Sequence, residues 1–206
     1  MKYFFKKHAW LLIGCLGLIS ILGGCYGYGP GDNITLPIEF ADDFEHAITT
    51  VWHKGADVPE DPNHPDQKIA WHIEQSALQI QSGSYSAEFY LDGRQGHGTI
   101  WLTRSFQVPT GKSLSAHIYF SLYSKDESVN PIANVVAYAS AQTPSLEADF
   151  ADQQPANQSK GWRSYHFQIP VASNDGTIVV AFGIRAAFEA KMTYYVDSVR
   201  IVIDKQ

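Results

Sequence analysis

From residue 35 to residue 203, apolar and polar residues alternate with a period of two, and no stretch of twelve or more keeps a helical stripe. Successive side chains of a β-strand point to opposite faces, so this pattern predicts half-buried strands. Ten segments carry it: 35–40, 70–75, 78–81, 86–91, 99–108, 114–123, 134–139, 163–171, 177–188 and 193–203. Turn signals separate them, among them Asp92-Gly93, Gly96-His97-Gly98, Pro109-Thr110-Gly111, Asn130-Pro131 and Asn174-Asp175-Gly176. Many short strands punctuated this regularly predict an all-β fold, an antiparallel β-sandwich or barrel. Two polar, proline-bearing stretches, 55–68 and 143–161, read as long loops, where function or mobility tends to concentrate.

The alternation also assigns faces. Ala87, Phe89 and Leu91 point inward, as do Ile100, Leu102, Phe106 and Val108. The inward set continues through Ile118, Phe120 and Leu122, then Tyr165, Phe167, Ile169 and Val171, then Ile178, Val180, Phe182, Ile184 and Phe188. Tyr90, Trp101, Tyr119, Tyr123, His117 and Arg185 are left on outward faces. A single bulge reverses any such assignment along its strand.

The N-terminus carries a different signal. Lys2, Lys6 and Lys7 precede an apolar run from Trp10 to Gly24 that is too short for a bilayer span, which takes about 20 residues. It has the length and flanks of a secretory signal. Leu22-Gly23-Gly24-Cys25 closes the run and resembles the lipobox of bacterial lipoproteins, in which the cysteine is lipidated and begins the mature chain. The expected organisation is a signal peptide at 1–24, a lipidated Gly-rich tether at 25–33 and a β-sandwich domain at 34–206. By the same resemblance, Tyr26 rather than aspartate after Cys25 favours the outer membrane over the inner. Loss of the signal takes three lysines, so 15 basic and 21 acidic residues become 12 and 21, a net charge of −9. Nucleic acid is excluded as a partner, because no basic patch exists to release its counterions. Cys15 leaves with the signal, so the domain has no disulfide and relies on burial, which aromatic residues at 13% of the chain supply.

Three groups of residues are candidates for chemistry. The outward aromatics Tyr90, Trp101, Tyr119 and Tyr123, with His117 and Arg185 beside them, are what a glycan ligand needs: rings to stack on pyranose C–H faces and polar groups for hydroxyls. The competing expectation is that a long loop folds over these rings. The second group is carboxylate. Asp197 alternates with Tyr195, Val199, Ile201 and Ile203, so it is expected to face the core, where a charge needs a partner. A Ca²⁺ ion shared with the opening Asp42-Asp43-Phe44-Glu45 segment is one answer. Hydrogen bonds to backbone N–H groups, or an arginine such as Arg104, are the other. The third group, the histidines 46, 53, 64, 72, 97, 117 and 166, has no zinc-ligand spacing and reads as surface or satisfied. Glu74, Glu88 and Asp92 are the carboxylates a glycosidase pair would draw on. No Gly-x-Ser-x-Gly elbow and no Gly-rich phosphate loop occurs.

Ala41-Asp42-Asp43-Phe44-Glu45, the Ile69-Ala70-Trp71-His72-Ile73 segment, Gly83-Ser84-Tyr85-Ser86-Ala87-Glu88-Phe89 and the closing Tyr194-Tyr195-Val196-Asp197-Ser198-Val199 follow one another in a familiar order. This order resembles the jelly-roll carbohydrate-binding modules and the wider galactose-binding-like sandwiches. The resemblance implies that the closing strand returns beside the opening Phe-Glu segment and shares a Ca²⁺ with it, at Glu45 and Asp197 with Asp43 as a weaker ligand. Ser198 stands where asparagine or aspartate is commoner. The function it implies is a non-catalytic, sugar-binding envelope lipoprotein, anchored in a lipid membrane through Cys25. Two alternatives stand beside it: a structural or protein-binding lipoprotein with no glycan ligand, and an enzyme acting on polysaccharide.

Overall fold

The computed structural model describes residues 34–206, so the expected signal peptide, Cys25 and the tether lie outside the described residues. The chain runs through β1 (Ile38–Asp42), one helical turn α1 (Ile48–Val51), β2 (His53–Asp57), β3 (Glu60–Asp61), β4 (His64–Lys68), β5 (Trp71–Ser76) and β6 (Ser86–Gly93). It continues through β7 (Thr99–Gln107), β8 (Lys112–Ser124), β9 (Ala133–Ser140), a 3-10 turn at Glu147–Asp149, β10 (Asp152–Pro155), β11 (Gly161–Ser173), β12 (Thr177–Ala186) and β13 (Ala190–Lys205). None of the described helices is long and apolar enough to cross a membrane.

Two antiparallel sheets face each other. The first has the order β11-β8-β13-β6-β5, with β1 pairing the C-terminal half of β13 beyond the end of β6. The second has the order β10-β9-β12-β7-β2. Within these sheets only β5–β6 and β9–β10 are neighbours in both sequence and space; every other connection crosses the sandwich. The fold is an antiparallel β-sandwich of the jelly-roll type.

The inward residues meet in one core. Ala87, Phe89, Leu91, Ile100, Leu102, Ile118, Phe182 and Ile184 are all fully buried, each worth about 1.5–3 kcal/mol for the larger side chains. Phe182 sits at its centre, with ring centroids of Trp52 and Phe120 each 5.1 Å away. Arg104, on the apolar side of β7, lays its guanidinium 4.2 Å from the Phe40 ring and donates to the Val51 carbonyl.

Several expectations change. Residues 78–81 form no strand: Leu78 and Ile80 are exposed, because four alternating residues with no partner strand have nothing to pair with. The stretch at 55–68 is not a loop. Its start completes β2, an edge strand held to β7 by backbone bonds that need no apolar pattern. The rest is the β3–β4 hairpin, turned at Asp61, which accepts from the Asn63 N–H and His64 Nδ1. Within 143–161 lie the 3-10 turn and β10. Phe188 is not inward, because β12 ends at Ala186 and leaves it exposed in the turn. Last, β13 carries a bulge between Asp197 and Arg200, with Ser198 at φ 55°. Val199, Ile201 and Ile203 face the core as expected, but the bulge turns Tyr195 and Asp197 to the outer face.

Candidate functional site

The six residues expected as one ligand surface divide between opposite outer faces. Trp101 and Arg185 belong to β7 and β12 of the second sheet; Tyr90, His117, Tyr119 and Tyr123 belong to β6 and β8 of the first.

On the second sheet, alternation places Trp101 outward correctly, but the ring is only 3% exposed. Its register partners are Gly55 on β2 and Gly183 on β12. A Cβ at Gly55 would collide with the indole, so the ring packs in the space that this glycine leaves open. Phe150 then caps it at 5.1 Å, with Val136 and Ala181 completing a small second apolar cluster. Arg185 ties down this cover by donating to the Glu147 and Phe150 carbonyls and to Thr99 Oγ1. Trp101 is therefore no open platform, and Arg185 is a strut of the covering segment. The stretch at 143–161 does what the competing expectation foresaw.

The outer face of the first sheet is different. Register aligns Trp162, Tyr123, Tyr195, Glu88 and Glu74 in one row across β11, β8, β13, β6 and β5. Tyr123 meets Trp162 at 5.6 Å and Tyr195 at 6.2 Å, both edge-on, and all three rings are partly exposed. Burial first, and the neighbouring Glu88 carboxylate second, push the Tyr195 phenol up, which keeps it a neutral donor. His72 bonds Glu88 at 3.1 Å and stacks on Tyr90 at 5.0 Å. Four residues along β8 and β11, and five along β13 through its bulge, lies a second row: His166, Tyr119 and Arg200. His166 and Tyr119 stack at 4.2 Å with planes 3° apart, and the Arg200 guanidinium sits 5.5 Å from the Tyr119 ring.

Between the rows the side chains are small. Ser164 and Ser121 pair across β11 and β8 with hydroxyls 3.4 Å apart, and the bulge sets Ser198 beside them. A depression of about 270 Å³ results, lined by Tyr119, Ser121, Ser164, His166 and Ser198. The two rows are four residues apart along β8 and β11, roughly 13 Å. The arrangement offers ring faces and edges on one side, hydroxyls on the floor, and imidazole and guanidinium on the other side.

Trp162 and Tyr195 were missed in the sequence. Trp162 sits one residue before the expected strand, although Trp162, Ser164, His166 and Gln168 alternate with the inward set and carry the signal. Tyr195 was hidden by the bulge. Of the glycosidase candidates, Glu74 and Glu88 lie side by side on neighbouring strands of the same face, and Asp92 is held by Arg94 at 2.6 Å.

The carboxylates expected to hold calcium have other partners. Asp197 is fully buried on the outer side, beneath the β5–β6 connection. Its Oδ2 accepts from the Gln81 and Ser82 N–H groups at 2.8 and 3.0 Å, and Oδ1 from Ser198 at 2.6 Å. Glu45 Oε1 accepts from the Ser84 and Tyr85 N–H groups at 2.6 and 2.9 Å, and Asp43 is exposed. Among the described residues, no three or more His, Cys, Asp or Glu side chains form a metal-holding group. Amide N–H groups already neutralise part of the charge on Asp197 and on Glu45 Oε1, so burial of Asp197 has an account that needs no cation. The two carboxylates clamp the 81–85 segment by hydrogen bonds, as the second expectation for Asp197 has it.

No protein-family model matches the chain, and no curated protein is similar to it in sequence. Solved structures are similar in fold. The CBM22-1 xylan-binding domain of Paenibacillus barcinonensis Xyn10C aligns with a TM-score of 0.50 at 13% identity, over 81% of this chain and 94% of that one. TmCBM61, solved in complex with beta-1,4-galactotriose, aligns at 0.43 and 10% identity over 73% and 88%. The K1 cleaved adhesin domain of Lys-gingipain from Porphyromonas gingivalis W83 aligns at 0.43 and 16% identity over 80% and 97%. The likeness to carbohydrate-binding modules expected from the sequence holds for the β-sandwich fold.

Proposed function

We propose that the chain is a non-catalytic carbohydrate-binding domain of an envelope lipoprotein, and that its ligand lies in the groove on the outer face of the first sheet. The observation that carries this reading is the serine-floored depression walled by Tyr119 and His166, with the Trp162–Tyr123–Tyr195 row on the same face four residues along β8 and β11. A pyranose presents C–H faces to the first row and hydroxyls to Ser121, Ser164 and the neutral Tyr195 phenol. Xylan binding belongs to the similar domain of Xyn10C and supports a glycan as the ligand class here. Anchoring through a lipidated Cys25, with the outer membrane as its site, is part of the proposal and rests on residues 1–26 alone.

A glycan array with the full chain tests it. The parent is retained on one or more plant or bacterial polysaccharides, and Trp162→Ala loses on the order of tenfold or more in affinity, as truncation of a hot-spot ring does. Equal retention of parent and variant removes the platform. The second reading, a structural or protein-binding lipoprotein, is favoured by the closure of Trp101 under Phe150. It gains the field if the parent binds no glycan.

A further inference from the structure

His117 and His166 meet head to head. Their ring planes are 11° apart, and Nδ1 of His117 lies 3.2 Å from Nε2 of His166. The centroid separation of 5.5 Å exceeds that nitrogen–nitrogen distance by about the two ring radii, so both nitrogens lie on the line joining the rings. This is the geometry of an in-plane N–H···N hydrogen bond, which requires one nitrogen to carry a proton and the other to lack it. On its far side, His117 Nε2 lies 3.6 Å from Asp204 Oδ1. In a neutral pair Asp204 favours the proton on Nε2 of His117, leaving Nδ1 to accept from His166. One added proton still leaves a single N–H between the two rings, and Asp204 at 3.6 Å faces the charge of the pair. A second added proton sets two N–H groups against each other at 3.2 Å, and the bond is lost.

We infer that this pair is a one-proton gate on the Tyr119 ring: His166 stays stacked over Tyr119 while the pair holds at most one added proton, and a second drives it away. The inference rests on reading the groove as a glycan site, because the exposed Tyr119 face would become a further surface for a pyranose ring. His166 is the member that yields. It is exposed, whereas the His117 side chain is only 17% exposed and held by Asp204. The charged and titratable groups facing the pair are Tyr119 on β8, Arg200 and Asp204 on β13, and Glu39 on β1, which pairs with Arg200 at 3.4 Å. From β11, Gln168 contributes a neutral amide, and Gln154 of β10 reaches only the His166 carbonyl. His117 opposes charge on His166. Partial burial and then His117 hold the His166 imidazole below its ordinary value. The sign for stability follows. Below about pH 6.5 the unfolded chain takes up a proton that native His166 resists, so stability falls as pH falls through that region.

Imidazole and Tyr119 ring resonances of the histidine- and tyrosine-labelled full chain, followed from pH 8 to pH 4, test the gate without any ligand. The expected result is a pair that titrates in two separated steps, with Tyr119 losing its ring-current shift only at the lower one. In His117→Gln, His166 titrates once and Tyr119 stays stacked throughout. Two independent single steps at ordinary values overturn the inference, and so does a Tyr119 ring unmoved through the lower step. Glycan affinity that rises severalfold across the lower step in the parent, but not in His117→Gln, links the gate to the groove. With the two steps observed and no glycan bound at any pH, the functional reading fails while the gate stands.

Discussion

Trp101 and Trp162 point outward from opposite sheets of one sandwich, the first on an interior strand between β12 and β2, the second on the edge strand β11, and their fates diverge. Both lie on outward positions of strands whose inward sides are mainly apolar, with Arg104 on β7 and Arg163 on β11 as the charged exceptions. Trp101 has glycine as its cross-strand partner on both sides, so its ring packs over Gly55 of β2, where Phe150 covers it at 5.1 Å. Trp162 faces Tyr123 instead, whose ring meets it edge-on and leaves no flat surface to cap. The small neighbours that leave room for an indole also let a distant segment seal it. The bulky neighbour keeps the other face rough, partly exposed and grooved. An outward aromatic thus becomes core or platform according to the size of its cross-strand partners.

Three substitutions break or sharpen this contrast. Trp101→Ala is expected to cost about 3–5 kcal/mol, the range for a buried indole, and to leave any glycan affinity of the first sheet unchanged. A melting temperature equal to the parent's would mean the ring is not core. Asp197→Ala probes a sealed spot on the open face. It strands the N–H groups of Gln81, Ser82 and Ser198, with an expected loss of about 3 kcal/mol, and a chelator should leave the parent's melting curve unmoved. A chelator-dependent shift would restore Ca²⁺ to Glu45 and Asp197. Arg185→Met keeps the aliphatic stem and removes the strut, for an expected 1–3 kcal/mol by the usual penalty of about that size for unpaired buried groups. Limited proteolysis should then cut between residues 143 and 155; an uncut segment would show that Phe150 alone holds the cover.

The residues that made the fold legible were those of β6, β8 and β11, where long, clean alternation needs nothing beyond the strand itself. Tyr90, Tyr119 and Tyr123 were legible as outward residues for the same reason. Their ligand-facing company was not. Trp162 and His166 come from β11, some forty residues after β8, and only pairing places them beside Tyr123 and Tyr119. Asp197 shows the limit most clearly. Its carboxylate was recognisable as a charge in need of a partner, yet its direction depended on the bulge at Ser198 and its partners on a loop more than a hundred residues earlier.

What the amino-acid order alone determined is therefore the class of fold and the membership of the core, since the two-residue period of a strand is a local property. The exported, lipidated start is likewise an expectation of sequence alone. Tertiary structure decided which outer face was sealed, where β13 changed sides, and which rings and hydroxyls share a groove. Each of these depends on contacts between segments far apart in the chain, and local periodicity carries no record of such contacts.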